Sequence, residues 1–213
     1  LDSTYLRKHD APDFWQLIPF YSGNPGECGC STVLSMSLNA IRVRSGLTTS
    51  DKLITNPEMV KKVVLPGLDW AQRMATGRGI DLNEVPPLLA EGFRVYGIAA
   101  NTWKAEATHL EGKGPARLEK LRAVFKLNEA NKDDFILANF VQGTLVGDPE
   151  AMVGHFSMVG AYDAGTDRAL ILDVDREYME PYWVKLSLLV DAMATQDKDS
   201  QNWRGYVRIF KNT

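Results

Sequence analysis

Apolar residues in the first half of the chain recur mostly at helical spacing, interrupted by glycine and proline. This pattern predicts a helix over 31–43 and helical pieces over 56–75 that break at a Pro-Gly pair. A capping-box pattern at 81–84, an Asp followed three residues later by a Glu, predicts a short helix to Glu91 that a glycine ends. Residues 1–27 contain three prolines and are predicted to be irregular.

The second half changes to short apolar or alternating runs separated by Gly, Asp and Pro, a pattern typical of antiparallel strands. A turn sequence at 164–167 joins two of these runs as a hairpin. Helices followed by strands predict an α+β fold, as one domain over 1–213 with lobes at 1–130 and 131–213. The other predicted elements are strands at 93–99, 135–141, 155–162, 169–174 and 206–210, a helix opening at Pro115, and a helix over 186–194.

Composition and charge narrow the range of partners. The 213 residues are 45% apolar and 24% charged, which is ordinary for a folded globular chain. With 24 basic and 27 acidic side chains the net charge is −3, so a nucleic acid or an anionic membrane is not an expected partner. No apolar stretch approaches the roughly 18 residues that span a bilayer. The sequence begins at Leu1, so a removed signal peptide is an open alternative.

Two cysteines, Cys28 and Cys30, stand one residue apart. A disulfide between them would close a very tight ring. Structural zinc usually takes four Cys or His ligands, and the histidines are His9, His109 and His155, so no metal site is predicted. The cysteines are therefore either small buried core residues or thiols with a chemical role.

Three residues from distant parts of the sequence offer a nucleophile, a base and a carboxylate. Cys30 lies at the N-terminus of the first predicted helix, where the helix dipole favours the thiolate. His155 starts one strand of the predicted hairpin and Asp173 ends the next, so we expect their side chains within hydrogen-bond reach. A lone histidine at a strand end is more often structural. The three together predict a thiol acyl-transfer enzyme.

Short motifs spread along the chain carry a family resemblance. The clearest are Gly154-His155-Phe156-Ser157, Ala161-Tyr162, Leu170-Ile171-Leu172-Asp173-Val174, Tyr178, Pro181, Trp183-Val184 and Trp203-Arg204-Gly205-Tyr206-Val207. Looser matches are Phe14-Trp15-Gln16-Leu17-Ile18 and Leu38-Asn39-Ala40. With these motifs the sequence resembles the phytochelatin synthases, which are papain-like cysteine peptidases adapted to glutathione. The resemblance implies a papain-like fold, with the nucleophile in a helical lobe and the His and Asp in an antiparallel-sheet lobe.

Two departures from the family pattern concern the nucleophile and its oxyanion hole. The family has one Cys followed by Gly, whereas two candidates are present here. The helix phase and the upstream register favour Cys30, and the Cys-Gly pair favours Cys28. The family has a Gln six residues before the nucleophile, a position occupied by Asn24 for Cys30 and by Ser22 for Cys28. The resemblance therefore implies Asn24, a shorter amide, as the oxyanion donor.

The resemblance also implies how a substrate is held. Arg204 and Asp197 match positions on the acyl-binding side of the family's cleft, where the Arg would pair with a substrate carboxylate. Asn139 matches an Asn near that cleft. The implied substrate is glutathione or a similar peptide, also as a heavy-metal thiolate, and no cofactor is implied. The acyl group would pass to water or to a second glutathione.

The sequence resembles the short bacterial relatives of the family. A soluble protein is expected, its compartment (bacterial cytoplasm or periplasm) stays open, and a homodimer is allowed. Two other interpretations stay open. The protein is a papain-like peptidase or amide-forming enzyme with a different acyl donor, or a catalytically silent relative that binds thiol peptides. The presence of both His155 and Asp173 favours an active enzyme, because nothing structural demands that pair.

Overall fold

A six-stranded antiparallel sheet lies at the centre of the computed structural model, which describes residues 2–22, 29–46, 52–99, 101–112, 114–176 and 179–212. The strand order is β1-β6-β2-β3-β4-β5. The strands are β1 (Trp103–His109), β2 (Asp134–Val141), β3 (Gly154–Asp163), β4 (Arg168–Leu172), β5 (Tyr182–Lys185) and β6 (Gly205–Lys211). Because β1 pairs with β6, the sheet takes strands from both sides of residue 130.

Helices connect and cover these strands. They are α1 (Pro12–Leu17), α2 (Gly29–Arg44), α3 (Asn56–Lys62), α4 (Trp70–Ala75), α5 (Val85–Val95), α6 (Pro115–Glu129), α7 (Gln142–Val146) and α8 (Leu186–Met193), with 3₁₀ turns at Ile18–Phe20 and Leu82–Glu84. No helix among the described residues has both the length and the apolar character to cross a membrane.

The sheet is buried on both faces. Leu137 and Phe156 belong to the core that includes α2 and α5, whereas Phe140 and Val159 belong to the core that includes α6 and α8. The central strand β2 is buried at every position. This explains why the sequence of β2 is mostly apolar instead of alternating, with Asp134 and Asn139 as its polar residues.

Most predicted elements occur close to their predicted limits. The helix predicted over 31–43 is α2, the pieces within 56–75 are α3 and α4, and the turn at 164–167 joins β3 to β4. The capping box is also present, because the Asp81 side chain accepts from a backbone N–H and Glu84 accepts from the Asp81 N–H. A mixed α and β fold with an antiparallel sheet is therefore confirmed.

The predicted strand over 93–99 is wrong, and so is the predicted helix end at Glu91. Helix α5 continues through Gly92 to Val95. A Cβ on Gly92 would lie 3.0 Å from Leu38 Cδ1, so the glycine allows α5 to approach α2 closely and does not end the helix. The strand in this region is β1, which begins at Trp103.

Three further elements, α1, α7 and β5, were not predicted. Residues 1–27 were expected to be irregular, but Pro12 occupies the first turn of α1, where its missing N–H has no helical partner to lose. Strand β5 is short and pairs only with β4, at the edge of the sheet. Four residues with a proline just before them give little periodic signal.

Helix α1 buries the carboxyl group of Asp13 against α6. Asn128 donates to Asp13 Oδ2 at 2.8 Å, whereas Asp13 Oδ1 has no hydrogen-bond partner among the described residues. Burial raises the pKa of Asp13 well above its usual value, Asp134 and Glu129 raise it further, and the Asn128 hydrogen bond opposes them. An ionised Asp13 therefore costs folding free energy.

We expect Asp13→Asn to raise the free energy of unfolding near pH 7 by about 1–3 kcal/mol, because it removes a poorly paired buried charge. Since the folded-state pKa is raised, the wild type is least penalised below the unfolded pKa of about 3.9 and loses stability as pH rises through the folded value. The gain should therefore shrink as pH falls. Urea unfolding over this pH range measures it, with exposed Asp10→Asn as control. An equal gain at every pH would contradict the assignment.

Candidate active site

The hairpin of β3 and β4 brings His155 and Asp173 together at one end of the sheet. Met158 in β3 pairs with Leu172 in β4, so the start of one strand lies beside the end of the other. His155 Nε2 lies 2.7 Å from Asp173 Oδ1. The predicted proximity of these two side chains is confirmed, and their catalytic roles remain predictions.

Asp173 is fully buried, and several donors surround its carboxyl group. Besides His155, the Tyr182 hydroxyl donates to Oδ2 at 2.9 Å and the Asp175 N–H donates to Oδ1 at 3.0 Å. The Tyr21 hydroxyl donates to the backbone carbonyl at 2.5 Å. Burial acts to raise the pKa of Asp173, but the His155, Asp175 and Tyr182 hydrogen bonds outweigh it and lower the pKa. Asp173 is therefore a carboxylate that accepts the Nε2 proton.

The imidazole of His155 is fixed from several directions. Its side chain is 12% exposed, and its ring meets that of Phe140 edge-on with centroids 5.5 Å apart. Asn139 Nδ2 donates to the His155 backbone carbonyl at 3.1 Å. Because Asp173 takes Nε2, Nδ1 is the ring nitrogen that can exchange a proton with a nucleophile.

Cys30 is the second residue of α2, and it is buried. Helix α2 begins at Gly29, so Cys30 lies in the first turn, where the helix dipole favours an anion. The sequence argued against a disulfide here because of its tight ring, yet Cys30 is disulfide-bonded in this structure. Its use as a nucleophile therefore requires reduction. Cys28 and Asn24 lie outside the described residues, and Ser22 is exposed.

One cleft of about 250 Å³ collects most of the predicted site residues. Cys30, His155, Asn139, Asp197 and Arg204 all line it. Asp173 lies behind His155 and takes no part in the lining. The tertiary structure thus brings together residues from both halves of the chain.

Arg204 is a buried cation on one side of this cleft, 4% exposed. It pairs with Asp197 Oδ2 at 2.8 Å and donates to the Gln196 carbonyl at 2.5 Å and to the Thr195 hydroxyl at 3.3 Å. Burial lowers the pKa of Arg204 and Asp197 opposes that effect. Its Nε has no hydrogen-bond partner among the described residues. Gly154 leaves room for the guanidinium, since a Cβ there would lie 3.0 Å from Nη2.

Nearly the whole sequence is similar to the model of one known protein family. The model described as phytochelatin synthase matches residues 3–206. The chain belongs to the phytochelatin synthase family. The matched region contains α2 with Cys30, the β3–β4 hairpin, and Arg204.

Plant proteins are among the relatives of this phytochelatin synthase family member. Glutathione gamma-glutamylcysteinyltransferase 1 of Triticum aestivum is 47% identical over 209 residues, which cover 94% of this chain and 36% of that protein. The protein of the same name from Lotus japonicus is 45% identical over 207 residues, covering 93% and 36%. The chain therefore spans little more than a third of the length of these relatives.

Sequence reasoning missed the residues that hold the His155–Asp173 pair from behind. Tyr182 opens the edge strand β5, and Tyr21 follows the 3₁₀ turn after α1. Neither lies at a periodic position or within a spacing that points to Asp173, so no local signal identifies them. Among the described residues, no group of three or more His, Cys, Asp or Glu side chains is placed to hold a metal ion.

Replacement of Tyr182 by Phe should lower the free energy of unfolding at pH 7 by about 1–3 kcal/mol, because a buried carboxylate loses a donor. Since the pKa of Asp173 is lowered, its hydrogen bonds stabilise the fold above the unfolded pKa and lose that effect as pH falls through the folded value. The deficit should therefore be smallest in acid. Tyr96→Phe is the matched control, because the Tyr96 hydroxyl is buried without a partner among the described residues. Equal losses in both variants would refute a specific role for Tyr182.

Proposed function

We propose that this phytochelatin synthase family member is a cysteine-dependent acyltransferase that acts on glutathione. It cleaves the Cys-Gly bond, holds the γ-glutamylcysteinyl group as a thioester, and passes it to water or to a second glutathione. The observation that carries the proposal is that His155, which is hydrogen-bonded to Asp173, lines the same cleft as Cys30. The names of the relatives, which are glutathione gamma-glutamylcysteinyltransferases, support the substrate.

A papain-like fold is part of the proposal. In that arrangement a thiol at the start of a helix faces a histidine and its carboxylate partner on a neighbouring sheet. Cys30 in the first turn of α2 and His155 at the start of β3 support it, because both line one cleft. Cys28 remains the alternative nucleophile.

The acylation step starts from the reduced thiol. His155 Nδ1 takes the proton from Sγ of Cys30, and the sulfur attacks the carbonyl carbon of the Cys-Gly amide. The C–N bond then breaks as His155 returns the proton to the glycine nitrogen, which leaves as an amine. The product is a thioester on Sγ. Asp173 holds the imidazole by Nε2 and stabilises its charged form.

Deacylation repeats the same proton transfers with a different acceptor. His155 takes a proton from water or from the amino group of a second glutathione, whose oxygen or nitrogen bonds to the acyl carbon. The C–S bond breaks and Cys30 leaves as thiolate. In both steps the backbone N–H groups at the start of α2 are donors to the oxyanion, with Asn24 as the proposed side-chain donor.

Arg204 and Asp197 are the proposed binding groups for the charged end of the substrate. The positive charge of Arg204 and its position in the cleft lining support a role in binding a carboxylate. Asp197 is an acceptor for an ammonium group on the same side. Asn139 contributes by holding the backbone of His155. A heavy-metal thiolate as co-substrate and a homodimer remain predictions.

The proposal is tested by incubating the protein with glutathione after reduction with a phosphine, so that glutathione is the sole added thiol. Mass spectrometry should detect free glycine together with γ-glutamylcysteine for hydrolysis, or longer oligomers for transfer. Reduced protein that is alkylated with iodoacetamide before glutathione is added should be inactive, because its thiols are blocked. No turnover by the reduced protein would overturn the proposal and favour a different acyl donor or a silent thiol-peptide-binding role.

His155→Ala should abolish the covalent acyl-enzyme, because both the base that makes the thiolate and the acid that protonates glycine are lost. Intact-protein mass spectrometry of the reduced, acid-quenched enzyme measures the adduct. The control is His9→Ala, since His9 is exposed and stacks on Tyr5 away from the cleft. An unchanged adduct yield in His155→Ala would refute the role assigned to His155.

The attacking thiol can be identified by alkylation. If Cys30 attacks, helix α2 and His155 should favour its thiolate, so iodoacetamide at about pH 6 should modify Cys30 well before Cys28, whose reference pKa is about 8.5. Cys30→Ser should then be inactive, and Cys28→Ser should keep most activity under reducing conditions. The reverse pattern would assign the nucleophile to Cys28 and the oxyanion position to Ser22.

A further inference from the structure

Two segments distant in sequence form one wall of the cleft. Gly77, Gly79 and Ile80 come from the segment that leads into α5, and Asp197 and its two successors come from the loop before β6. We call residues 77–81 and 197–202 the cleft wall. Arg204, the proposed substrate-binding cation, lies two residues after this wall in sequence.

Asp81 divides its two carboxylate oxygens between these segments. Oδ1 accepts from the Asn83 N–H at 2.9 Å, which is its capping contact within its own segment. Oδ2 accepts from the Ser200 hydroxyl at 2.5 Å and from Asn202 Nδ2 at 3.1 Å, across 119 and 121 residues of sequence. Burial acts to raise the pKa of Asp81, but these three hydrogen bonds outweigh it and lower the pKa. Asp81 is therefore a carboxylate that joins the two segments.

Ser200 also contacts Asp197, which in turn pairs with Arg204. Its backbone N–H donates to Asp197 Oδ1 at 3.1 Å, beside the Asp199 N–H at 3.0 Å. The other oxygen of Asp197, Oδ2, pairs with Arg204 at 2.8 Å. A continuous path of hydrogen bonds thus runs from Asp81 through Ser200 and Asp197 to Arg204.

We propose that Asp81 is a positioning residue that sets Asp197 and Arg204 for substrate binding through its hydrogen bond with Ser200. This inference rests on the proposed function, because it takes Asp197 and Arg204 as the groups that bind glutathione. Asp81 itself is absent from the cleft lining, so it acts through the loop and not on the substrate.

The geometry of the loop explains why it needs such a contact. The hydrogen bonds of Asp197 with residues 199 and 200 are local turn contacts, and Gln201 has a left-handed φ of 60°. Local contacts of this kind hold the shape of a turn but do not fix its position on the rest of the protein. The Arg78–Asp199 ion pair is long, at 3.5 Å, and exposed, so its contribution is small.

A histidine connects residues that adjoin the two segments. His109 in β1 contacts the Asn83 side chain at 2.8 Å through Nε2 and the Trp203 carbonyl through Nδ1. It fixes the base of the loop, next to Arg204, while the Asp81–Ser200 bond fixes its tip. Removing the Ser200 hydroxyl should therefore displace the tip and Asp197 without unfolding the base of the loop.

The test is Ser200→Ala, which removes the hydroxyl and keeps both the backbone N–H and the Asp81 cap. We expect KM for glutathione to rise by about tenfold, as for a lost hydrogen bond to a charged group, with kcat within about twofold of the wild type. Ser200→Thr, which keeps a hydroxyl, should restore KM. Exposed Ser187→Ala in α8 is the matched control and should leave both constants unchanged. A fall in kcat without a change in KM would overturn the inference.

A double-mutant cycle tests the path to Arg204. If Ser200 acts through Arg204, the effect of Ser200→Ala on KM should largely disappear in an Arg204→Lys background. A full additional tenfold effect would show that the two residues act independently and would overturn the inference.

Hydrogen exchange separates the failure of this inference from the failure of the proposed function. If the reduced wild type neither binds nor cleaves glutathione, the proposed function fails, and the link from Asp81 is still measurable. Amides of residues 197–202 should exchange faster in Ser200→Ala than in Ser187→Ala, because the tip of the loop loses the hydrogen bond from Ser200 to Asp81. Equal exchange rates in the two variants would overturn the positioning role.

Discussion

The hydrogen bond between His155 and Asp173 is the constraint on which the geometry of the site depends. It joins a residue at the start of β3 to the residue that follows the end of β4. It therefore exists only while β3 and β4 keep their antiparallel register. Its acceptor is a fully buried carboxylate, and such a charge is stable only when donors surround it. Tyr182 from β5 and the Asp175 N–H supply the other donors. The edge of the sheet, the hairpin and the orientation of the imidazole are therefore coupled.

The rest of the cleft is built around that fixed imidazole from more distant parts of the chain. Helix α2 packs on the opposite face of the sheet from α6 and α8, and its first turn brings Cys30 to the cleft. Arg204 closes the other side as a buried cation with one carboxylate partner. A largely buried cation in the lining of a cleft is an arrangement suited to an anionic ligand. This chemistry agrees with the charged peptide that the proposed reaction requires.

The sequence predicted those elements whose signal is local. Helix α2 carries its own apolar stripe, the capping box is made by Asp81 and its near neighbour Glu84, and the β3–β4 hairpin has its turn residues between two apolar runs. The wrong predictions have the same physical cause, which is that contacts between distant elements decided the local structure. Gly92 indicated a helix end by its usual propensity, but the packing of α5 against Leu38 overrode that propensity. The edge strand β5 is defined by its pairing with β4, and its four residues are too few to show a periodic pattern in the sequence.

The sequence by itself determined which chemical groups are present and the order in which they occur: a thiol at a helix start, a histidine at a strand start and an aspartate at a strand end. The tertiary structure alone decided that Arg204 is buried, that Tyr182 and Tyr21 support Asp173, and that Ser200 connects Asp81 to Asp197. Periodicity and spacing report on neighbours along one helix or strand. Contacts across 119 residues depend on how whole elements pack, and no short segment of sequence encodes them.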